Sequence, residues 1–290
     1  MLPGSGAALP RRSLALALGP GGTRGFAHLG VINVLLDAGL RVDGICGASS
    51  GALFGALYAM DGTSRGVARA MGVSRREIWG LFRDRLRLAP SNPLGARLVE
   101  FFAGARLESL PVPMNILAVD LQSGDEIVLR EGSVRAAVEA SIAIPVLAQP
   151  VALDGRFLID GGYGRRGPTV GARELGDVVV AVTLGEFGLP ARLHTLARQI
   201  AHRLRRTGRT DGVDRRLVLR RAILALTAGE YDEPDADIVI APRVGDINPN
   251  SPFVREAAFG RGARAAREAL PAIRELLGRT QGAGPRTHAI

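Results

Sequence analysis

The chain has no lysine: all 37 of its basic residues are arginine. That absence excludes a phosphate-binding P-loop, whose glycine turn closes on Gly-Lys-Ser/Thr. Cysteine is nearly absent as well, and a lone Cys46 excludes an internal disulfide and a cysteine metal cluster. The four histidines, His28, His194, His202 and His288, lie at no metal-ligand spacing, so neither a metal nor a cofactor is expected. Aromatic residues make up 4% of the chain. The arginine-rich stretch from Arg192 to Arg221 lacks the aromatic interleaving of single-strand binders, and no nucleic-acid partner is expected. No apolar run approaches the ~20 residues of a membrane-spanning helix. The basic pair Arg11-Arg12 runs into an alternating strand pattern and not a cleavage site, so residues 1–12 read as a flexible leader and the expected location is cytoplasmic.

What the chain does have is positive charge, +9 net. Codon bias in a GC-rich genome accounts for the exclusive use of arginine. The same residues suit an anionic surface, because the guanidinium fork pairs bidentately with phosphate and carboxylate. The stretch from Arg192 to Arg221 reads as a solvated helical face, and in functional terms as a peripheral contact with anionic lipid headgroups.

With 290 residues and 47% hydrophobic content, the chain can form one large α/β domain or two small ones. Ser13–Leu18 (SLALAL) reads as a buried strand, Gly19–Gly25 as a turn, and Phe26–Ala38 as a helix with Gly39 as its C-cap. Val42–Cys46 and Ser50–Met60 repeat the strand–helix order, which implies parallel strands with a crossover. Ser74–Phe102 reads as amphipathic helix, whose apolar face is core or a cap over a cleft. Met114–Leu121 and Glu126–Arg130 form a strand and its return, and Asp154-Gly155 marks a turn before Phe157–Ile159. Asp177–Leu184 is a buried strand and Leu189–Ala228 two helices. Asp237–Ala241 is a last strand, Phe253–Leu277 a closing helix, and residues 279–290 a disordered tail.

Three short motifs carry chemistry. Gly47-Ala48-Ser49-Ser50-Gly51 is a G-x-S-x-G pentapeptide between a predicted strand and a predicted helix, the context of a nucleophile elbow. The small neighbours permit a sharp turn that lifts Ser49 Oγ off the sheet at a helix N-terminus. Gly21-Gly22-Thr23-Arg24-Gly25 also links a strand to a helix, and its backbone amides suit an oxyanion hole. A dinucleotide fingerprint counted from Gly19 would need glycine where Arg24 stands. Ile159-Asp160-Gly161-Gly162 places a carboxylate at a strand end. With no histidine in a suitable context, Asp160 is the economical base for Ser49.

These motifs, in this order, resemble those of the patatin-like phospholipases, particularly the bacterial members and the neuropathy-target-esterase catalytic domains. RGFAHLGVINVL, ILAVDLQSGDEIVLREGS, VEASIAIP and ADIVIAPRVGDINPNSPF extend the resemblance from Leu14 to about Leu277. It implies a three-layer α/β/α fold with a central mostly parallel sheet, spanning residues 13–278. It further implies Ser49 as nucleophile, Asp160 as general base, and an oxyanion hole at Gly21, Gly22, Thr23 and Arg24. Gly25, Gly47, Gly51, Gly161 and Gly162 would shape those loops. The substrate it implies is a lipid ester, phospholipid or lysophospholipid.

The sequence departs from the family pattern at three places. Pro20 begins the glycine turn, Val146 and Leu147 follow Pro145 where glycine is usual, and Arg165-Arg166 stand near the usual asparagine and proline. An arginine paired with Asp160 would lower its basicity. That departure motivates a second reading, a catalytically weak lipid- or membrane-binding homologue. A nucleotide-binding Rossmann protein is a third. The sequence leaves the oligomeric state open.

Overall fold

A computed structural model describes residues 11–73, 101–145, 148–185, 235–248, 253–278 and 288–289. Most of the predicted helix over 74–102, the helices over 189–228, the leader up to residue 10 and the side chains of His194 and His202 lie outside the described residues.

The described residues contain a nine-stranded sheet. Its strands are β1 (Leu14–Leu18), β2 (Gly44–Ala48), β3 (Met114–Asp120), β4 (Glu126–Leu129), β5 (Val151–Leu153), β6 (Arg156–Asp160), β7 (Val178–Val182), β8 (Ile238–Ile240) and β9 (His288–Ala289). The order is β5-β6-β3-β2-β1-β7-β8-β9, with β4 also paired to β3. From β3 through β9 along this path every pairing is parallel, whereas β4, β5 and β6 add antiparallel pairs.

The alternation in β1 sorts the two faces of the sheet. Leu14, Leu16 and Leu18 enter one apolar cluster with α1 (Phe26–Asp37), α2 (Ser50–Ala59), α3 (Ser64–Gly72), α4 (Val134–Ser141) and α6 (Val254–Gly278). Ala15 and Ala17 point the other way, into a cluster with Cys46, Ala48, Leu117, Val179, Ala181 and Ala172 of α5 (Thr169–Ala172). Period-two side chains on a strand buried on both faces require this division. The fold is the expected α/β class, with a mostly parallel sheet flanked by helices.

On the heavier face α6 crosses α1 at backbone contact. A Cβ on Gly30 would fall 2.1 Å from the Phe259 carbonyl oxygen, and one on Gly262 would fall 2.0 Å from that of Ala27. Both positions therefore need glycine, and the helices sit closer than side chains would allow.

Some boundaries differ from the sequence reading. β2 starts at Gly44 and not Val42, because its register is set by neighbours: Gly44 lies beside Ala15, and Ala48 beside Leu117. Propensity disfavours glycine in strands, but here Gly44 faces the Leu175 side chain at a distance no Cβ could share. Helix α3 has no counterpart in the sequence reading; Thr63 caps it by accepting the Arg65 amide at 3.2 Å. Arg11 and Arg12, assigned to the leader, are tied to the domain: Arg11 forks onto Asp43, and Arg12 donates to the Leu276 and Asp177 carbonyls. Asp237–Ala241 contains β8 but is not the last strand, since β9 pairs beside it within the expected tail.

Candidate active site

β1 and β2 are parallel neighbours, with Leu18 opposite Gly47, so the loops that follow them leave the same edge of the sheet. The loop after β2 is the elbow. Ser49 sits between β2 and α2 with φ 54 and ψ −118, a left-handed conformation that costs a non-glycine residue about 1–3 kcal/mol. Its surroundings impose it. A Cβ on Gly51 would stand 2.0 Å from the Leu18 carbonyl oxygen, and one on Gly47 would stand 2.6 Å from the Ala52 backbone. The two glycines of the pentapeptide thus let the turn fold back onto β1 and α2.

Asp160 is brought to Ser49 by way of β3. On β3, Leu117 pairs with Ala48 of β2, and the next residue, Ala118, pairs with Asp160 of β6. Two adjacent residues of one strand thereby set the separation between serine and aspartate. Ser49 Oγ donates to Asp160 Oδ2 at 2.9 Å, and both residues are buried. The other carboxylate oxygen accepts the Gly162 amide at 2.6 Å. A Cβ on Gly161 would lie 2.1 Å from the Leu117 carbonyl oxygen, so this aspartate loop also needs its glycine.

Burial pushes the Asp160 carboxyl up to about 7, against the opposing pull of the Gly162 amide and the Ser49 hydroxyl. Among the described residues no arginine pairs with this carboxyl. Arg166 pairs with Asp235 at 3.3 Å, while its amide and that of Gly167 donate to Glu126. The anticipated arginine–Asp160 contact is not formed, and Arg165 is exposed. Tyr163 lies beside the aspartate, and burial together with the Asp160 charge raises its phenol above the ordinary value.

The loop after β1 carries the glycine run. Gly21 is half-buried and Gly22, with φ 57, is exposed; a 3-10 turn spans Gly22–Gly25. Gly25 packs onto the elbow helix, where an added Cβ would meet the Phe54 ring at 2.6 Å and Ser50 Cβ at 2.8 Å. Arg24 is tied into the turn and to the 245–247 segment. Its amide donates to the Gly21 carbonyl at 3.1 Å, and its guanidinium donates to the carbonyls of Gly245 and Ile247. Both parts of Arg24 therefore brace the turn.

Two contributors escaped the sequence reading. Ser141, at the end of α4, accepts the Ser49 amide at 2.9 Å and donates to the Leu117 carbonyl at 2.6 Å. His28, fully buried on α1, has Nε2 2.8 Å from the Gly19 carbonyl oxygen, and burial lowers its pKa to about 4. Both lie inside segments that carry the family resemblance, VEASIAIP and RGFAHLGVINVL, but a serine or histidine within a helix announces no partner. Among the described residues no group of three His, Cys, Asp or Glu could hold a metal ion, and no helix is long and apolar enough to cross a membrane.

Comparison with known proteins gives this arrangement a context. An uncharacterised NTE family protein of Mycobacterium tuberculosis is 34% identical over 293 residues, covering 92% of this chain and 48% of the relative. Patatin-like phospholipase domain-containing protein 6 of Mus musculus is 31% identical over 189 residues, 61% of this chain and 14% of that protein. The chain spans about half the length of the mycobacterial relatives it matches. Among solved structures, VipD from Legionella pneumophila covers 91% of this chain and 67% of its own, with a TM-score of 0.48 and 13% identity. The patatin-like phospholipase family model matches residues 16–173, more than half of the sequence, and the chain belongs to that family.

Proposed function

We propose that the protein hydrolyses acyl esters of lipids through a Ser49–Asp160 dyad and an acyl-enzyme. The observation that carries this reading is the 2.9 Å hydrogen bond from Ser49 Oγ to Asp160 Oδ2 at a strained strand-to-helix turn. Membership of the patatin-like phospholipase family supports the same chemistry and a lipid substrate.

In this reading ionised Asp160 takes the proton of Ser49 as Oγ attacks the ester carbonyl. The tetrahedral oxyanion is met by amides of the Gly21–Thr23 turn and by the N-terminal dipole of α2. Collapse expels the alcohol or lysolipid, which takes the proton from Asp160. A water then loses a proton to Asp160, attacks the acyl-enzyme, and releases fatty acid with Ser49 restored. The proton transfers of both steps run through Asp160. A carboxyl raised to about 7 is suited to the task, because it is basic enough to accept a proton yet about half ionised at neutral pH. The arginine-rich composition favours peripheral contact with anionic lipid surfaces, which liposome co-sedimentation at rising salt would test.

The direct test is hydrolysis of a p-nitrophenyl ester and of phospholipid by the wild type, Ser49→Ala and Asp160→Asn. Turnover by the wild type, abolished in both variants, is the expected result. Turnover that survives Ser49→Ala refutes the nucleophile. Inactivity of the wild type on both substrates favours a lipid-binding role.

A further inference from the structure

The buried ring of His28 has no role in the proton transfers above, yet it is joined to the start of the glycine turn. Its Nε2 lies 2.8 Å from the Gly19 carbonyl oxygen, and since a carbonyl only accepts, Nε2 carries the proton. The other ring nitrogen, Nδ1, is buried and has no hydrogen-bond partner among the described residues. An apolar side chain there would avoid that unsatisfied nitrogen, so the hydrogen bond to Gly19 is what the imidazole adds.

Gly19 is where β1 gives way to the turn. Its amide donates to the Val182 carbonyl at 3.1 Å, continuing the ladder with β7, and its carbonyl is the one His28 grips. Pro20 follows, with its φ fixed by the ring and no amide of its own. The peptide plane between Gly19 and Pro20 is thus held on both sides, and the next amides in the chain are those of Gly21 and Gly22. At the far end of the turn Arg24 is braced by Gly21, Gly245 and Ile247. His28 is the side-chain brace at the near end. Burial keeps the ring neutral at working pH, so the brace persists while Asp160 titrates.

We propose that His28 is a positioning residue for the oxyanion turn, aiming the Gly21 and Gly22 amides by holding the Gly19 carbonyl through Nε2–H. The inference rests on the Ser49–Asp160 reading and adds to it a residue that never touches substrate.

The test compares wild type, Ser49→Ala, His28→Leu and His28→Gln on a p-nitrophenyl ester, with thermal melts of each. His28→Leu removes the donor and is expected to lose roughly tenfold to hundredfold in kcat, as small misplacements in an active site do, with KM within about twofold. His28→Gln retains an N–H donor and is expected to recover most of that loss. Should His28→Leu fail to fold, His28→Met takes its place, since the flexible thioether adapts to the same pocket without a donor. Unchanged kcat in the donorless variant, or equal impairment in His28→Gln, overturns the inference alone. Absence of any Ser49-dependent turnover in the wild type removes the dyad reading and this inference with it.

Discussion

The Ser141 hydroxyl accepts the backbone amide of Ser49 at 2.9 Å, so the helix end at α4 holds the elbow from beneath. The same hydroxyl donates to the Leu117 carbonyl on β3, the strand that also positions Asp160. Ser141→Ala removes both buried hydrogen bonds, at about 1–3 kcal/mol. The expected result is a lower urea midpoint together with a fall in kcat larger than any change in KM. Unaltered kcat at reduced stability would limit Ser141 to a folding role.

The raised carboxyl of Asp160 sets the direction of the pH profile. As a base it must be ionised, and it is protonated below about 7. kcat/KM is therefore expected to climb through neutrality and level off in mild alkali. A rate that is flat across this range would show that Asp160 is not the proton acceptor.

The same carboxyl affects stability with the opposite trend. Its folded value, about 7, lies above the ordinary carboxyl value of 3.8, so between the two the native state holds a proton that the unfolded chain has released. Stability present at acid pH is lost as the pH rises through that window. Asp160→Asn cannot ionise, and its melting temperature is expected to exceed that of the wild type at pH 8 and to converge with it at pH 4. A lower melting temperature for Asp160→Asn at pH 8 would contradict the burial argument.

Glycines of the two loops should respond differently to alanine. Gly51→Ala drives a methyl to 2.0 Å from the backbone oxygen of Leu18, where neither side can yield, and roughly 3 kcal/mol or more of stability should be lost. Gly22→Ala meets nothing within 4 Å and bears only the strain of φ 57. It should fold, with about 1 kcal/mol lost, and any larger effect should appear in kcat. Circular dichroism melts of the two variants make the comparison.

Arg166→Ala tests whether the arginines after the aspartate loop restrain catalysis. Because Arg166 pairs with Asp235 and not Asp160, kcat/KM should stay within about twofold of the wild type, as surface pairs contribute little. A marked gain in activity would place an arginine back at the carboxylate.

Much of the site was legible in the chain because its demands are local. Gly47, Ala48 and Gly51 describe a turn too tight for larger residues, and the structure bears this out in contacts with Leu18 and Ala52. Asp154-Gly155 marked a turn, and both residues adopt positive φ where β5 and β6 join. α1 ends at Asp37 with Ala38 as its cap, one residue before the expected cap Gly39, which follows with positive φ. What stayed hidden depends on residues far apart in sequence. β2 shifted by two positions because its partners on β1 and β3 fix its register. Arg24 finds its guanidinium partners more than 200 residues away, at the carbonyls of Gly245 and Ile247. Ser141 and His28 are polar residues in helices, and only the fold reveals which carbonyl or amide each one meets.

The seating of α6 on α1 bears on how the protein can be dissected. The family match ends at residue 173, but the helix that closes over α1 begins at Val254. Gly262 lies against the carbonyl of Ala27, the neighbour of His28 in the first turn of α1. A fragment cut at residue 173 would bare a helix flank shaped for another backbone, with no side chains to shield it. The end of the family match is not a boundary of the packed unit, and protein engineering that respects only the former would discard the strut against which α1 rests.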